Sequence, residues 1–243
     1  MIEKPICLNE NELIQIIKTK AKNKRIKISS NFVLRSNERM RNIKKDIMLS
    51  RHGDIYYIEG DYYWGRIGKL NGWRSEMKYY SIISGAAIHM IDLIMWMLSS
   101  KPISVYALGN KIGSKRTKLK FDSFAVILLK FPNNLIVKIT GNGPCVHPHF
   151  HNLKIFGSKK TTIHNYYESY YLHRFNSGIK KKIITNNNFQ NEGRNKIITS
   201  FIDSILNPSL SPLVTENDIF NVMSVCFAAE KSIKTNKPVK VEY

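Results

Sequence analysis

Two short stretches of this sequence carry side chains suited to moving a proton: Glu3-Lys4-Pro5, and Ser84-Gly85-Ala86-Ala87-Ile88-His89-Met90-Ile91-Asp92. Lys4 follows an acid and precedes a proline, so its backbone is confined to extended conformations. A lysine at a strand end can project into a cleft, where burial and neighbouring charges depress its pKa toward the range useful for proton transfer. Taken singly, it is also what any surface lysine looks like. His89 and Asp92 are three residues apart on one helical face, with Trp96 one turn further along. That spacing fits a core histidine held by a neighbouring acid. It fits equally a general base at a helix head, reached across the small residues Gly85-Ala86-Ala87.

His147-Pro148-His149-Phe150-His151 has imidazoles at strand spacing, which would put all three on one face and raises the question of a metal. Pro148 argues against a regular strand there, and no carboxylate or cysteine lies nearby to complete a ligand set. No metal is expected. His52, His164 and His173 show no partner pattern. Cys7, Cys145 and Cys226 are too scattered for a disulfide framework or a zinc knuckle and read as buried thiols. Gly141-Asn142-Gly143 is the nearest approach to G-x-G-x-x-G, but Val146 stands where the third glycine belongs and no helix follows. A Walker lysine motif and a serine elbow are also absent from the sequence.

The elements that must position these groups can be read from periodicity. Residues 9 to 23 predict a helix capped by Asn9, with Glu10 and Glu12 in its first turn, lysines at its end and Leu13, Ile16, Ile17 and Ala21 on one face. Alternation predicts a strand over 26 to 33, then a helix from Asn37 to Leu49 and an aromatic-rich strand from Ile55 to Trp64. Gly65, Gly68 and Gly72 punctuate a loop holding Trp73 and Arg74. A helix over 86 to 98 precedes strands at 103 to 110, 124 to 131, 135 to 140, 153 to 156 and 161 to 167, with Pro132-Asn133-Asn134 as a hairpin turn. Residues 176 to 191 read as a loop or a lysine-studded hairpin. Helices follow over 194 to 206 and from a capping box at Thr215, and Pro238 to Tyr243 closes the chain as a strand. Met223 and Cys226 lie on the last helix's apolar stripe and are assigned to the core.

With 43% apolar residues, 11% aromatics and 243 residues in all, the sequence supports a packed globular core in one large domain or two small ones. It has neither an apolar run near the ~20 residues of a membrane helix nor a secretory h-region, so no membrane partner and a cytoplasmic location are expected. The net charge of +20 is dispersed. Its densest clusters, Lys18 to Arg25 and Lys180 to Lys182, fall at a helix end and in a loop, where solvated lysines are ordinary, so specific nucleic-acid binding is not expected.

Glu3-Lys4-Pro5, the segment leading to Arg35, Tyr57-Ile58-Glu59-Gly60-Asp61-Tyr62-Tyr63, Gly85 to Trp96, Leu153 to Gly157, the helix near Thr215 and Pro238-Val239-Lys240-Val241 together resemble the Gfo/Idh/MocA family of NAD(P)-dependent oxidoreductases. The resemblance spans nearly the whole sequence. It implies an α/β (α+β) fold, a large, mainly antiparallel open sheet with flanking helices, preceded by a remnant of a Rossmann domain. Residues 1-35 would be that remnant, its glycine-rich part absent, and 36-243 the substrate and oligomerisation domain. Lys4 would match the family lysine at the reacting hydroxyl and nicotinamide, and His89 the general base. Glu3, Lys4 and Pro5 would border the cofactor, and Arg35, Tyr63 and Trp73 the substrate. The frequent family aspartate four residues before the histidine falls on Gly85, which leaves a proton relay one member short. Asp92 would be a structural acid.

The implied function is oxidation or reduction of a sugar, cyclitol or nucleotide-sugar hydroxyl with NAD or NADP, a cofactor not expected to bind this chain alone. Its partners would be a sugar-type small molecule, with room for a separately encoded Rossmann chain and a homo-oligomer. The alternative is a non-catalytic oligomerising or ligand-binding remnant of a split gene.

Overall fold

The period-two alternation in the middle of the chain builds one open sheet. The computed structural model describes residues 1–175, 178–184 and 193–243. Its strands are β1 (Ile55–Tyr63), β2 (Ser104–Asn110), β3 (Phe124–Lys130), β4 (Ile136–Asn142), β5 (Phe150–Gly157), β6 (Lys160–His164), β7 (Ser169–Phe175), β8 (Gly178–Ile184) and β9 (Val239–Lys240). They lie side by side in the order β8-β7-β6-β5-β1-β4-β3-β2-β9. The β1 and β4 pair is parallel and the other neighbours are antiparallel. Asn133 and Asn134 both take φ of 60° in the β3–β4 turn, a left-handed backbone that asparagine tolerates.

Register explains which face is which. Ile58 is level with Val137 and Ile155, all buried, whereas its neighbour Glu59 is level with Lys138 and Lys154. The apolar row lies under helices. The charged row forms an outer face, where Lys154 Nζ sits 3.0 Å from Glu59 and Lys138 Nζ 3.0 Å from Asp61.

On the inner face runs α4 (Ile88–Leu98), apolar on almost every side because it is covered on almost every side. A Cβ at Gly60 of β1 would sit 2.9 Å from Ile94 Cδ1, so the absence of a side chain there sets how closely α4 approaches the sheet. α2 (Glu38–Met48) is capped by the Asn37 side chain, which accepts from the Met40 backbone N–H, and buries Met40 and Ile43. α5 (Arg194–Leu206) follows the sheet. α6 (Glu216–Thr235) opens with a reciprocal Thr215–Asp218 capping box and buries Ile219, Val222, Met223 and Cys226 in the core. The capping box and stripe are those the sequence predicts.

α1 (Glu10–Lys22) is capped by Asn9 and packs onto α6. Leu13 is buried and Ile16 half-buried in the continuous core, but Ile14 and Ile17 stay 43% and 39% exposed. Cover for the α1 stripe is therefore partial. A short helix, α3 (Trp73–Glu76), lies in the glycine-punctuated loop.

Two expectations need correction. Residues 26–33 are not a strand; only Ile2 bridges to Ser30, because two residues of partner backbone cannot sustain a ladder. The segment instead turns into a 3₁₀ helix at Val33–Ser36, which buries Leu34 and Arg35. β7 went unforeseen. β8 realises the hairpin alternative, while 176–177 and 185–191 of the expected loop lie outside the described residues. Among the described residues, no helix is long and apolar enough to cross a membrane.

Candidate functional site

The start of the chain is tied down where Lys4 leaves it. The Ile2 backbone N–H donates to Ser29 O at 2.9 Å, and Asn31 Nδ2 donates to Glu3 Oε1 at 2.9 Å. From this anchor the half-buried Lys4 Nζ donates to the carbonyl of Gly85 at 2.5 Å. That carbonyl belongs to a π-helical turn, Ile83–Ala87, which runs directly into α4. Inserting one residue into a helical turn in this way re-aims backbone groups, and such turns recur at functional sites.

Lys4 borders a cavity of about 320 Å³ that also takes in Trp73, Arg74, Tyr80, Ser84 and Glu230. Burial, joined by the positive Arg74, brings the Lys4 pKa down to about 8, against a smaller opposing pull from Glu3. Arg74 is held by rings: its Cζ lies 4.2 Å from the Trp73 ring centre and 4.9 Å from that of the buried Trp64. Glu230 accepts from Ser84 Oγ at 2.7 Å and from Tyr79 Oη at 3.0 Å. Burial raises the Tyr80 phenol pKa, and the Arg74 charge offsets part of the rise. A Cβ added to Gly85 would stand 2.4 Å from Tyr80 Oη. The phenol thus fills the space that a side chain at position 85 would need.

His89 sits one helical turn past Gly85, in a different setting. Its ring stacks on Tyr62 at 5.8 Å with 11° between the planes, meets Phe32 edge-on at 6.5 Å and lies 6.0 Å from the His151 ring. His149 and His151 pack edge-on against Tyr62 at 5.2 and 4.9 Å. The three imidazoles and one phenol form a cluster over the C-terminal end of β1 and the start of β5. Among the described residues, no group of three or more His, Cys, Asp or Glu side chains is arranged to hold a metal ion.

The residues named from the sequence therefore divide. Glu3, Lys4, Pro5 and Trp73 meet at the cavity, and His89 follows one turn behind it. Arg35 is elsewhere. It is buried, its Nη2 donates to Asp92 Oδ1 at 2.6 Å, its Nε to the same carboxylate, and its Nη1 reaches Asp218 at 2.9 Å and the Leu213 carbonyl at 3.1 Å. Its donors are spent on joining the 3₁₀ turn to α4 and α6, and Asp92 is the structural acid expected. Tyr63 points to the outer face, where its hydroxyl donates to Asp61 at 3.2 Å. Its neighbour Tyr62 faces His89, since strand alternation sends adjacent side chains to opposite sides.

Sequence reading did not assign Arg74, Tyr80, Ser84 and Glu230 to the site. Glu230 lies on the core-facing stripe of α6, and a buried acid on an apolar stripe is the one signal that could have drawn attention to it. A larger groove of about 830 Å³ adjoins the cavity and shares Leu8, Met77, Tyr79 and Glu230 with it.

A family model described as the GFO/IDH/MocA C-terminal domain matches residues 40–163. Among solved structures, an oxidoreductase domain protein from Kribbella flavida superposes with a TM-score of 0.86 at 14% identity, over 99% of this chain and 73% of that one. Myo-inositol 2-dehydrogenase from Lactobacillus plantarum gives 0.81 at 20% identity, over 99% and 72%. Scyllo-inositol dehydrogenase from Lactobacillus casei, solved with bound NAD(H) and scyllo-inositol, gives 0.77 at 18% identity, over 98% and 72%. At these identities the superpositions show a shared fold. No curated protein matches the sequence.

Proposed function

This chain belongs to the Gfo/Idh/MocA family, and on that footing we propose that it holds a small polyhydroxylated molecule, a sugar or cyclitol, for NAD(P)-linked oxidation or reduction at a hydroxyl-bearing carbon. Lys4 carries this reading. It is a half-buried amine with a pKa of about 8, facing a cavity of sugar-like size and fixed to the Gly85 carbonyl one turn ahead of His89. Such an amine can donate a hydrogen bond to a substrate oxygen when charged and accept a proton when neutral. His89 is proposed as the second proton acceptor, oriented by the stack on Tyr62. Trp73 offers an apolar face to a sugar ring. Arg35 and Tyr63, engaged by Asp92 and Asp61, take no part in this reading.

Bound NAD(P) would supply or accept the hydride. Glu3, Lys4 and Pro5 suit its reacting end, but these 243 residues include no glycine-rich turn to cradle a pyrophosphate. Groups for the phosphates must come from outside them, whether in the same polypeptide or in a separate chain. The proposed division is accordingly residues 1–35 toward the dinucleotide and 36–243 toward the substrate. One observation favours a second reading, ligand binding without turnover. Position 85 bears no carboxylate, and Tyr80 fills its space.

Calorimetric titration of the purified chain with myo-inositol, scyllo-inositol and glucose tests the proposal. Saturable binding of at least one, weakened about tenfold in Lys4→Met, is expected, with no measurable heat from NADH. If no polyol binds at millimolar concentration, the substrate reading is wrong. Supplying a dinucleotide-binding domain in trans and following NADH absorbance separates turnover from binding alone.

A further inference from the structure

Arg74 and Lys4 are two cations converging on one small cavity, and among the described residues neither lies within salt-bridge distance of a carboxylate. Elsewhere this protein pairs its buried cations: Arg35 with Asp92 at 2.6 Å and Lys160 with Asp46 at 2.5 Å. The cavity's two acids are committed otherwise. Glu3 is exposed and holds Asn31, and Glu230 holds Ser84 and Tyr79. Trp64 and Trp73 pack about the Arg74 guanidinium and the Tyr80 phenol interacts with it, all neutral groups, so its charge stays uncompensated and suited to a planar or tetrahedral anion. An anion placed between Lys4 and Arg74 would relieve their mutual repulsion.

From this geometry we infer that the cavity takes an anionic sugar, a single ring bearing a carboxylate or a phosphate, whose charge is received by Lys4 and Arg74. This rests on the reading of the Lys4 cavity as the substrate site. At about 320 Å³ the cavity lies at the lower end of the range for small-molecule sites, which suits one ring. Glu230 supplies the other polarity. Its carboxylate accepts two hydrogen bonds and has lone pairs left for a sugar hydroxyl, so the same lining offers cations for the charge and an acceptor for a hydroxyl.

The test titrates the purified chain with glucuronate, glucose 6-phosphate and neutral glucose, read by the fluorescence of Trp73 and Trp64. At least one anionic sugar is expected to bind about tenfold tighter than glucose, and the stronger of the two identifies carboxylate or phosphate as the charge. Arg74→Gln should erase that preference, while Arg74→Lys, which keeps the charge, should retain part of it. Raising the pH from about 7 to about 9, across the Lys4 titration, should weaken the anionic sugar and leave glucose unchanged. Glucose binding as tightly as both anions, an undiminished preference in Arg74→Gln, or no saturation by either anion would each overturn the inference. A neutral polyol that binds and is turned over without any anionic preference sinks the inference alone. Anion binding without NAD-linked turnover when a dinucleotide-binding domain is supplied in trans sinks only the oxidoreductase reading.

Discussion

Replacing Gly85 with alanine tests the packing on which the Lys4 site depends. The new Cβ would lie 2.4 Å from Tyr80 Oη, 2.7 Å from Cζ and 3.0 Å from Cε2, so the ring must retreat by roughly 1 Å to reach ordinary contact. Tyr80 is 7% exposed, so apart from the cavity it lines it has little room to retreat. Forcing a methyl group into such a core costs about 1–3 kcal/mol. Against this, alanine is favoured over glycine in a helical turn by about 1 kcal/mol. The net expectation for Gly85→Ala is a loss of up to about 2 kcal/mol. In a Tyr80→Ala background the obstacle is gone, and the same change should stabilise by up to about 1 kcal/mol. Urea unfolding of the four proteins at constant m-value would then give a coupling energy of about 1–3 kcal/mol. If Gly85→Ala stabilises as much with Tyr80 present as in the Tyr80→Ala background, the phenol does not fill that space and the site is packed differently.

Lys4→Met should stabilise the protein at pH 7, because a lysine whose pKa falls to about 8 on folding costs stability while it is charged. In the wild type that cost is in full force below pH 8 and fades as pH rises toward 10.5, a gain of about 1–2 kcal/mol after allowance for partial exposure, and the variant should lack it. His52 and His164 are buried, held by Thr162 at 2.8 Å and Ser169 at 2.6 Å, with burial lowering their pKa values to about 4 and about 3. Unfolded histidines take up protons first as pH falls below about 6.5, so each should withdraw about 2 kcal/mol of stability by pH 5, and His52→Gln or His164→Gln should flatten the pH dependence of the urea midpoint. Arg35→Met should cost about 3–5 kcal/mol by stranding Asp92, and Arg35→Met with Asp92→Leu should recover most of it in the same assay.

The elements with their own punctuation were legible in the sequence. Asn9, Asn37 and the Thr215–Asp218 box each satisfy exposed backbone N–H groups locally, so the helix starts follow without knowledge of the rest of the fold. The strand that failed, 26–33, has an alternating pattern but needs a neighbouring backbone, and alternation says nothing about whether one is present. Parity decided Tyr63. A difference of one residue along β1 separates the outer face with Asp61 from the inner face with His89, and both neighbours are tyrosines. Arg35 illustrates the same limit: the sequence marks its partner Asp92 as structural, but the pairing across 57 residues is a tertiary fact. Arg74, Tyr80 and Glu230 meet from a loop, a helix approach and α6, and no local spacing encodes that meeting.

Position 85 also bears on which proposed function deserves testing first. Deleting a side chain from a packed site ordinarily leaves a void, and each void costs stability in proportion to its volume. No void of that kind accompanies Gly85, because the Tyr80 ring occupies the space while Arg74 acts on its phenol and Lys4 still reaches the Gly85 carbonyl. Glycine at 85 and tyrosine at 80 are therefore complementary in shape, as they would be in a site repacked around a different polar group. A site shaped only by loss has no physical reason to keep a desolvated lysine, whose burial costs free energy and whose removal is predicted to stabilise the fold. A lysine buried against the cavity at that cost supports a cavity that receives a ligand. It places the binding titrations ahead of any assay of turnover.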